Sequence, residues 1–406
     1  MKRIDTEDAP TTMPLPVGIS AGELSRNIDP YITGAAVVLI ALGTVLVYSA
    51  SAVRAQAAGG DGSVYLVRHL SSVFVGLLLM AAVLRVPIEA WSKLAYPLLL
   101  GALLMLVLVF VPGVGRRVNG ALRWISVAGI SFQPGELAKL ATVVYLSHSL
   151  AKKREKVRSF SVGFLPHVLV TSLMVGLIII QPDLGTSAVI YLTLGLMLFV
   201  AGTKIGYLVL AAVAALPVLL HYVMSRPHAM ARLTVFLDPE AYKRDIGYQV
   251  WESLVSFGSG GAFGLGLGAG KQKLYFLPES HTDFIFAVLG QELGFFGVLI
   301  AVSAFLVIVG RGMWTAGKLP CRFPMFLTFG ISAWLGAQAV VNMAVVTALL
   351  PTKGLTLPFI SYGRSSMIVN LIALGILLRS TAEQRAQQPA AAKKRRPAAR
   401  RAEVPA

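Results

Sequence analysis

Residues 277–309 read LPESHTDFIFAVLGQELGFFGVLIAVSAFLVIV. From Phe284 onward this is an apolar run longer than the roughly 20 residues that span a bilayer core as a helix. Its leading edge is polar, with Glu279, His281 and Asp283 crowded into five positions. A charged rim at the start of a spanning helix suits a polar cavity at one face, or a solvated loop with an incidental helix cap.

The same pattern recurs outward from this stretch. Apolar segments of spanning length lie near 31–50, 64–84, 94–112, 134–151, 164–181, 185–202, 205–223, 284–309, 323–350 and 356–378. The last contains Pro358 and Arg364 near its start. The expected fold is an all-α polytopic membrane protein of about ten transmembrane helices, 31–379, between a cytoplasmic N-terminal segment, 1–30, and a basic disordered tail, 380–406. Composition agrees: 56% of the 406 residues are hydrophobic and 14% charged, against about 25% charged in soluble domains. The first thirty residues are too long and too polar for a cleavable leader, and the run after them has full spanning length.

The net charge of +17 would suggest nucleic acid in a soluble chain. Here it reads as topology, since membrane proteins gather Lys and Arg on the cytoplasmic side, and no nucleic-acid partner is expected. Arg85 and Lys93, the run Lys152–Arg158, then Arg311, Lys318 and Arg322, and the Lys/Arg-rich tail all fall on one side if both termini are cytoplasmic. The tail's charge also suits anionic membrane lipid, though anchoring the topology is reason enough for it. A single cysteine, Cys321, excludes an intramolecular disulfide and any cysteine-built metal centre. The histidines show no metal-ligand spacing.

Two connections are long, and both fall outside. Residues 113–135 form one. Residues 224–283, between helices seven and eight, form a much larger one. In it Ile246, Val250, Leu254 and Phe257 recur at near-helical spacing, which predicts an amphipathic helix on the outer interface. The glycine-rich stretch 258–270 lacks the strand–turn–helix setting of a phosphate loop and reads as flexible.

Four motifs carry candidate chemistry, each beside a plainer reading. Asp283 suits general-base work, because partial desolvation raises a carboxylate's proton affinity; it also suits a helix N-cap. Glu136 and Lys139 in FQPGELAKL share a helix face and suit either an anionic headgroup or a structural ion pair. Arg123 and Trp124 nearby suit ligand contact or interface anchoring. Asp183 in QPDLGT is a carboxylate at the membrane edge or a turn residue. Lys353 in PTKGLTLPFISYG suits a phosphate or the interface.

Taken together and in this order, NGALRWI with FQPGELAKL, QPDLGT, the segment LPESHTDFIFAVLGQELGFFG, and LPTKGLTLPFISYG resemble the SEDS family of shape, elongation, division and sporulation proteins. The run at 352–356 is more similar to the division branch than to the elongation branch. The resemblance implies a peptidoglycan glycosyltransferase that polymerises lipid II through β-1,4 bonds, releases undecaprenyl pyrophosphate, and works at the division septum of the inner membrane. It implies a class B penicillin-binding protein as transpeptidase partner, alongside other division proteins. It places the catalytic acid of the HTDF motif at Asp283 and matches Glu136, Lys139 and Asp183 to polar positions around one cavity. Arg123, Trp124, Glu279, His281 and Lys353 complete the expected substrate-binding set. No metal is legible, although a pyrophosphate leaving group leaves room for a divalent cation. Arg364 and Gln291 depart from the family's usual glycine and glutamate. A lipid II flippase, the elongation-type paralogue and a non-catalytic division scaffold are the competing readings.

Overall fold

The computed structural model describes residues 21–57, 61–118, 120–127, 130–270 and 279–401. Two helices lead in, α1 (Ala21–Asn27) and α2 (Pro30–Ala57), followed by α3 (Val64–Leu84), α4 (Ile88–Lys93) and α5 (Ala95–Leu108). After a small sheet come α6 (Pro134–Lys153), α7 (Leu165–Ile180), α8 (Leu184–Val200), α9 (Ile205–Met224), α10 (Pro227–Leu237) and α11 (Tyr248–Gly260). The last three are α12 (Ile285–Ala316), α13 (Arg322–Val346) and α14 (Arg364–Arg401). Among the described residues seven helices are long and apolar enough to cross a membrane. Two more, α5 and α8, are apolar but shorter, and α6 has Glu136 and Lys139 in its body. Helices thus lie at or near each of the ten expected segments, seven of them of membrane-spanning length.

The core is built by α14 against α3, α12 against α2 and α13, and α6 against α5 and α13. Its interior is largely Leu, Ile, Val, Ala and Phe from these helices. Helix α9 buries none of its residues, as suits a segment whose surroundings are lipid on most sides.

Four expectations need correction, and one connection gains structure. Within the 113–135 connection, β1 (Gly115–Val118), β2 (Ala121–Val127) and β3 (Ile130–Phe132) form an antiparallel sheet in the order β1-β2-β3. The β-branched and aromatic residues of ALRWISV and ISF fit a half-buried ribbon. The tenth span begins at Arg364, not 356. Residues 356–363 form a non-helical loop, because Pro358 cannot donate into a helix; Leu357, Phe359 and Ile360 are nonetheless buried. The ordered part also runs past 380. Ser380, Thr381, Ala382, Glu383 and Gln384 are buried, Arg379 pairs with Glu383 at 2.6 Å, and Arg385 reaches Asp29 at 2.7 Å. Of residues beyond 387 only the backbone of α14 is described, and residues 1–20 and 402–406 lie outside the description.

The amphipathic helix exists but starts at Tyr248 and lies on protein. Val250, Ser253, Ser256 and Gly260 are buried, the helix packs on α12 and α13, and Ile246 stays 50% exposed.

The glycine-rich stretch, finally, is interlocked with a break in α12. At Gly294 (φ 64°) the helix leaves helical geometry. The carbonyls of Gln291 and Glu292 accept from the N–H groups of Leu265 (2.9 Å) and Gly266 (3.1 Å), while Phe295 and Phe296 donate to the carbonyls of Gly261 (2.9 Å) and Ala262 (3.2 Å). Four backbone groups freed by the break are thereby satisfied, which an apolar environment demands. Gly264 (φ +79°) sits so close that a Cβ would collide with the Glu292 carbonyl.

Candidate functional site

The polar rim of α12 is held by its backbone. Thr282 and Phe284 donate N–H bonds to the carbonyl of Glu279 at 3.1 and 3.3 Å, and Thr282 Oγ1 donates to Glu279 Oε2 at 2.9 Å. Three successive carbonyls are then bound from elsewhere. His281 accepts from the Tyr362 N–H (2.9 Å), Thr282 from Ser361 Oγ (2.6 Å) and Asp283 from Asn342 Nδ2 (3.0 Å). Asn342 also donates to Leu355 (2.6 Å). The rim is thus stitched to α13 and to the 355–362 loop.

Asp283 is not used as a cap. The N-cap residue of α12 is Phe284, and no side chain caps that end. Among the described residues none donates a hydrogen bond to the Asp283 carboxylate. The side chain is half-buried, in a cleft walled by protein. Gly354 faces it: a Cβ there would lie 3.1 Å from Asp283 Oδ2. Burial above all, then the negative charge of Glu279, push its pKa up to about 7; Asp183 adds to the rise, while Arg123 and Arg232 oppose it. Such a carboxyl exchanges protons near neutrality, as a general base requires.

Three cations border the cleft. Arg123, on β2, places Nη1 4.0 Å from Asp183 Oδ2. Lys353 is half-buried, and burial, with help from Arg232, brings its ammonium down to about 8. Arg232, on α10, is held below its ordinary value by burial and by Arg123. Arg232 is absent from the sequence-derived set, because nothing in PHAMARL marks one basic residue of a long loop as reaching inward. Asn342 and Ser361 were also missed. Asn342 did leave a signal, as a polar residue inside the apolar run AVVNMAVV.

Asp183 is buried and engaged. It caps α8 by accepting from Thr186 N (3.1 Å), and also accepts from Thr186 Oγ1 (2.9 Å) and Gln133 Nε2 (3.1 Å). It acts on the cleft through charge and by holding Arg123. Trp124 is half-buried on β2, opposite Arg116.

Glu136 and Lys139 pair at 2.9 Å, with side chains 5% and 1% exposed. Lys139 Nζ also donates to Gln338 Oε1 (2.6 Å) and lies 5.4 Å from the centre of the Trp334 ring. Gln338 continues to the Thr356 carbonyl (2.9 Å). Of the two readings open in the sequence, this geometry fits the structural ion pair, tying α6 to α13 and to the loop behind the cleft. His281 is buried in an aromatic cluster, 5.0 Å from Tyr65 and 5.5 Å from Tyr362 between ring centres; it packs rather than lines the open cleft. Among the described residues no group of three or more His, Cys, Asp or Glu is arranged to hold a metal ion.

A rigid rim, a half-buried carboxylate and nearby cations sit on a helical membrane scaffold, and the scaffold has known relatives. The family model FtsW/RodA/SpoVE, described as cell cycle protein, matches residues 31–386. The chain belongs to this family. It is 46% identical over 362 residues to a probable peptidoglycan glycosyltransferase FtsW of Geobacter sulfurreducens, covering 89% of this chain and 97% of that one. A protein of the same description from Legionella pneumophila is 40% identical over 365 residues, covering 88% and 92%. Among solved structures, a chain of a peptidoglycan synthase complex, studied for its coordination of polymerization and crosslinking, superposes with a TM-score of 0.72 at 30% identity, over 88% of this chain and 98% of that one. The rod shape determining protein RodA of Thermus thermophilus superposes with a TM-score of 0.63 at 30% identity, over 88% and 97%. Family membership and the apolar helices make the chain a multi-pass inner-membrane protein.

Proposed function

We infer that this chain is a peptidoglycan glycosyltransferase of the division type, polymerising lipid II into β-1,4-linked glycan strands at the septum. A hydroxyl oxygen of one sugar attacks the anomeric carbon of another. The carbon–oxygen bond to the pyrophosphate breaks, and undecaprenyl pyrophosphate leaves. Asp283 takes the hydroxyl proton as the new bond forms. Arg123, Arg232 and Lys353 face the departing negative charge, where preorganised cations stabilise a transition state most. Glu279 keeps Asp283 basic enough to act. The cleft lies at the outer face, beside lipid, so the substrate's tail stays in the bilayer while its sugars enter.

The observation that carries this reading is the Asp283 carboxylate: it accepts no hydrogen bond from the described residues, its backbone is fixed by Asn342, and the charges of Arg123 and Arg232 act on it, with Lys353 beyond Arg232. A class B penicillin-binding protein is the proposed partner, cross-linking the strands as they emerge; other division proteins recruit the pair to the septum.

The test is to give purified protein lipid II in detergent micelles, with and without that partner. Micelles present no barrier, so transport has nothing to accomplish there. Glycan strands resolved on a gel are the expected result. A flippase or a scaffold gives none under either condition.

A further inference from the structure

Further along α12 from the cleft, a groove of about 520 Å³ runs between α2 and α12. Its floor is made of small residues, among them Gly34, Ala35, Ser303 and Ala304. Its walls are apolar and open sideways: Val38 is 39% exposed and Ile300 51%. One end of the groove, at Tyr31 and Val307, leads to a cluster of cations and aromatic rings that begins one turn further along α12, at Arg311, and ends just past that helix, at Lys318. The Arg311 guanidinium lies 5.2 Å from the Tyr31 ring and 4.6 Å from the Trp314 ring. Lys318 Nζ lies 3.4 Å from the Trp314 ring. Asp29 neutralises part of this charge, accepting from Arg311 (2.6 Å) and Arg385 (2.7 Å). Three cations against one carboxylate leave a positive surplus.

A groove lined by methyl and methylene groups takes a hydrocarbon chain. A surplus of positive charge at its end, flanked by two interface-type aromatics, takes a phosphate. Basic-loop asymmetry puts this end at the cytoplasmic surface, where the leaflet is anionic and basic pockets between helices hold lipid headgroups. We propose that the groove between α2 and α12 is a binding site for an anionic phospholipid of the inner leaflet, with an acyl chain along Gly34 and Ser303 and the phosphate at Arg311 and Lys318. The charge at the groove's end selects this occupant over a transmembrane helix from a partner, which has no need of it. The site stands apart from the cleft, on the opposite leaflet, and does not depend on the reaction assigned to Asp283.

The test is native mass spectrometry of the full-length protein in detergent, titrated with phosphatidylglycerol or with phosphatidylcholine. Phosphatidylglycerol should be retained more than ten-fold better, at about five-fold for each cation that meets the phosphate. Lys318→Gln should cost about five-fold of that preference. Gly34→Leu should abolish retention of both lipids, since Gly34 lines the groove and no atom lies within 4 Å of a Cβ built there, so the fold has room for the larger side chain. Ile300→Trp fills the groove from the other wall and guards against a folding defect in the first variant. Equal retention of the two lipids, or undiminished retention by both groove-filling variants, would overturn the site. So would a photo-crosslinker at Ser303 that captures a protein helix in cells in place of lipid.

Discussion

Asn342 holds Asp283 by its main chain: the amide of one lies 3.0 Å from the carbonyl of the other. The same nitrogen binds Leu355 at 2.6 Å, so one side chain on α13 sets the distance between the rim of α12 and the loop carrying Lys353. Asn342→Ala leaves two carbonyls without that donor, at a cost of about 1–3 kcal/mol. It also lets the carboxylate drift, and a 1 Å misplacement costs on the order of 10²-fold in rate. The expected outcome is a protein that still purifies as a folded species and polymerises far more slowly, with the loss in kcat rather than KM. A loss in KM alone would make Asn342 a substrate contact instead.

Acid should silence the enzyme. A base with a pKa of about 7 is protonated below that value and cannot accept a second proton, so kcat/KM falls as pH drops through 7. Lys353, at about 8, loses its charge above that value and faces the leaving group less well. The profile is therefore a bell with limbs near 7 and 8. The variants shift the acid limb in opposite directions. Arg123→Gln removes a cation that holds the Asp283 pKa down, so the limb moves to higher pH. Glu279→Gln removes an anion that holds it up, so the limb moves to lower pH. Limbs that stay in place in both variants would assign the titration to another group.

The ten helical segments and the four motifs were legible because each is local. A run such as 284–309 announces its environment by length and apolarity alone, and HTDF sits at its edge. What was not legible depends on partners far apart in the chain. The glycine-rich stretch reads as flexible until the broken turn at Gly294 is laid against it, because the bonds joining them are backbone bonds that no side-chain pattern encodes. Arg232 is one basic residue of a long loop, and only the path of α10 brings it to Asp283. Lys139 carries the same charge in either of its readings; the burial that decides between them comes from Trp334 and Gln338, nearly two hundred residues away.

The interlock makes a prediction of opposite signs for two glycines six residues apart. Gly264→Ala puts a Cβ into the Glu292 carbonyl at φ +79°, and should lower stability by roughly 1–3 kcal/mol, the scale of a strained backbone position. Gly258→Ala, in α11, meets no atom within 4 Å and should gain about 0.5–1 kcal/mol from its helical setting. Melting temperatures in one detergent compare them. Equal melting temperatures would mean that the stretch is not docked on α12 in the membrane protein.

Topology follows from the same asymmetry that places the lipid groove. Fusion of a compartment reporter after Lys156 should report cytoplasm. Fusion after Glu240, whose side chain is 73% exposed, should report the periplasm. Both on one side would end the ten-span arrangement with cytoplasmic termini, and would move Asp283 to the face where the sugars of the substrate are not.

Asp283→Asn tests the centre of the mechanism. The amide matches the carboxylate in size, and no described residue depends on that carboxylate for a hydrogen bond, so the fold has little to lose. The bonds that Asn342 Nδ2, Ser361 Oγ and the Tyr362 N–H donate to the rim's carbonyls are untouched by the change. What disappears is the ability to take a proton, and loss of a general base typically costs about 10²–10⁴-fold. The variant should reach the membrane, melt at the wild-type temperature and bind the transpeptidase, while producing almost no glycan from lipid II. Glu279→Gln sharpens the comparison, because it removes a neighbouring charge without removing the base, and should retain activity at pH values below the wild-type optimum. Strand synthesis by Asp283→Asn close to the wild-type rate would refute the assignment and direct attention to Glu279, the other carboxylate on the same rim.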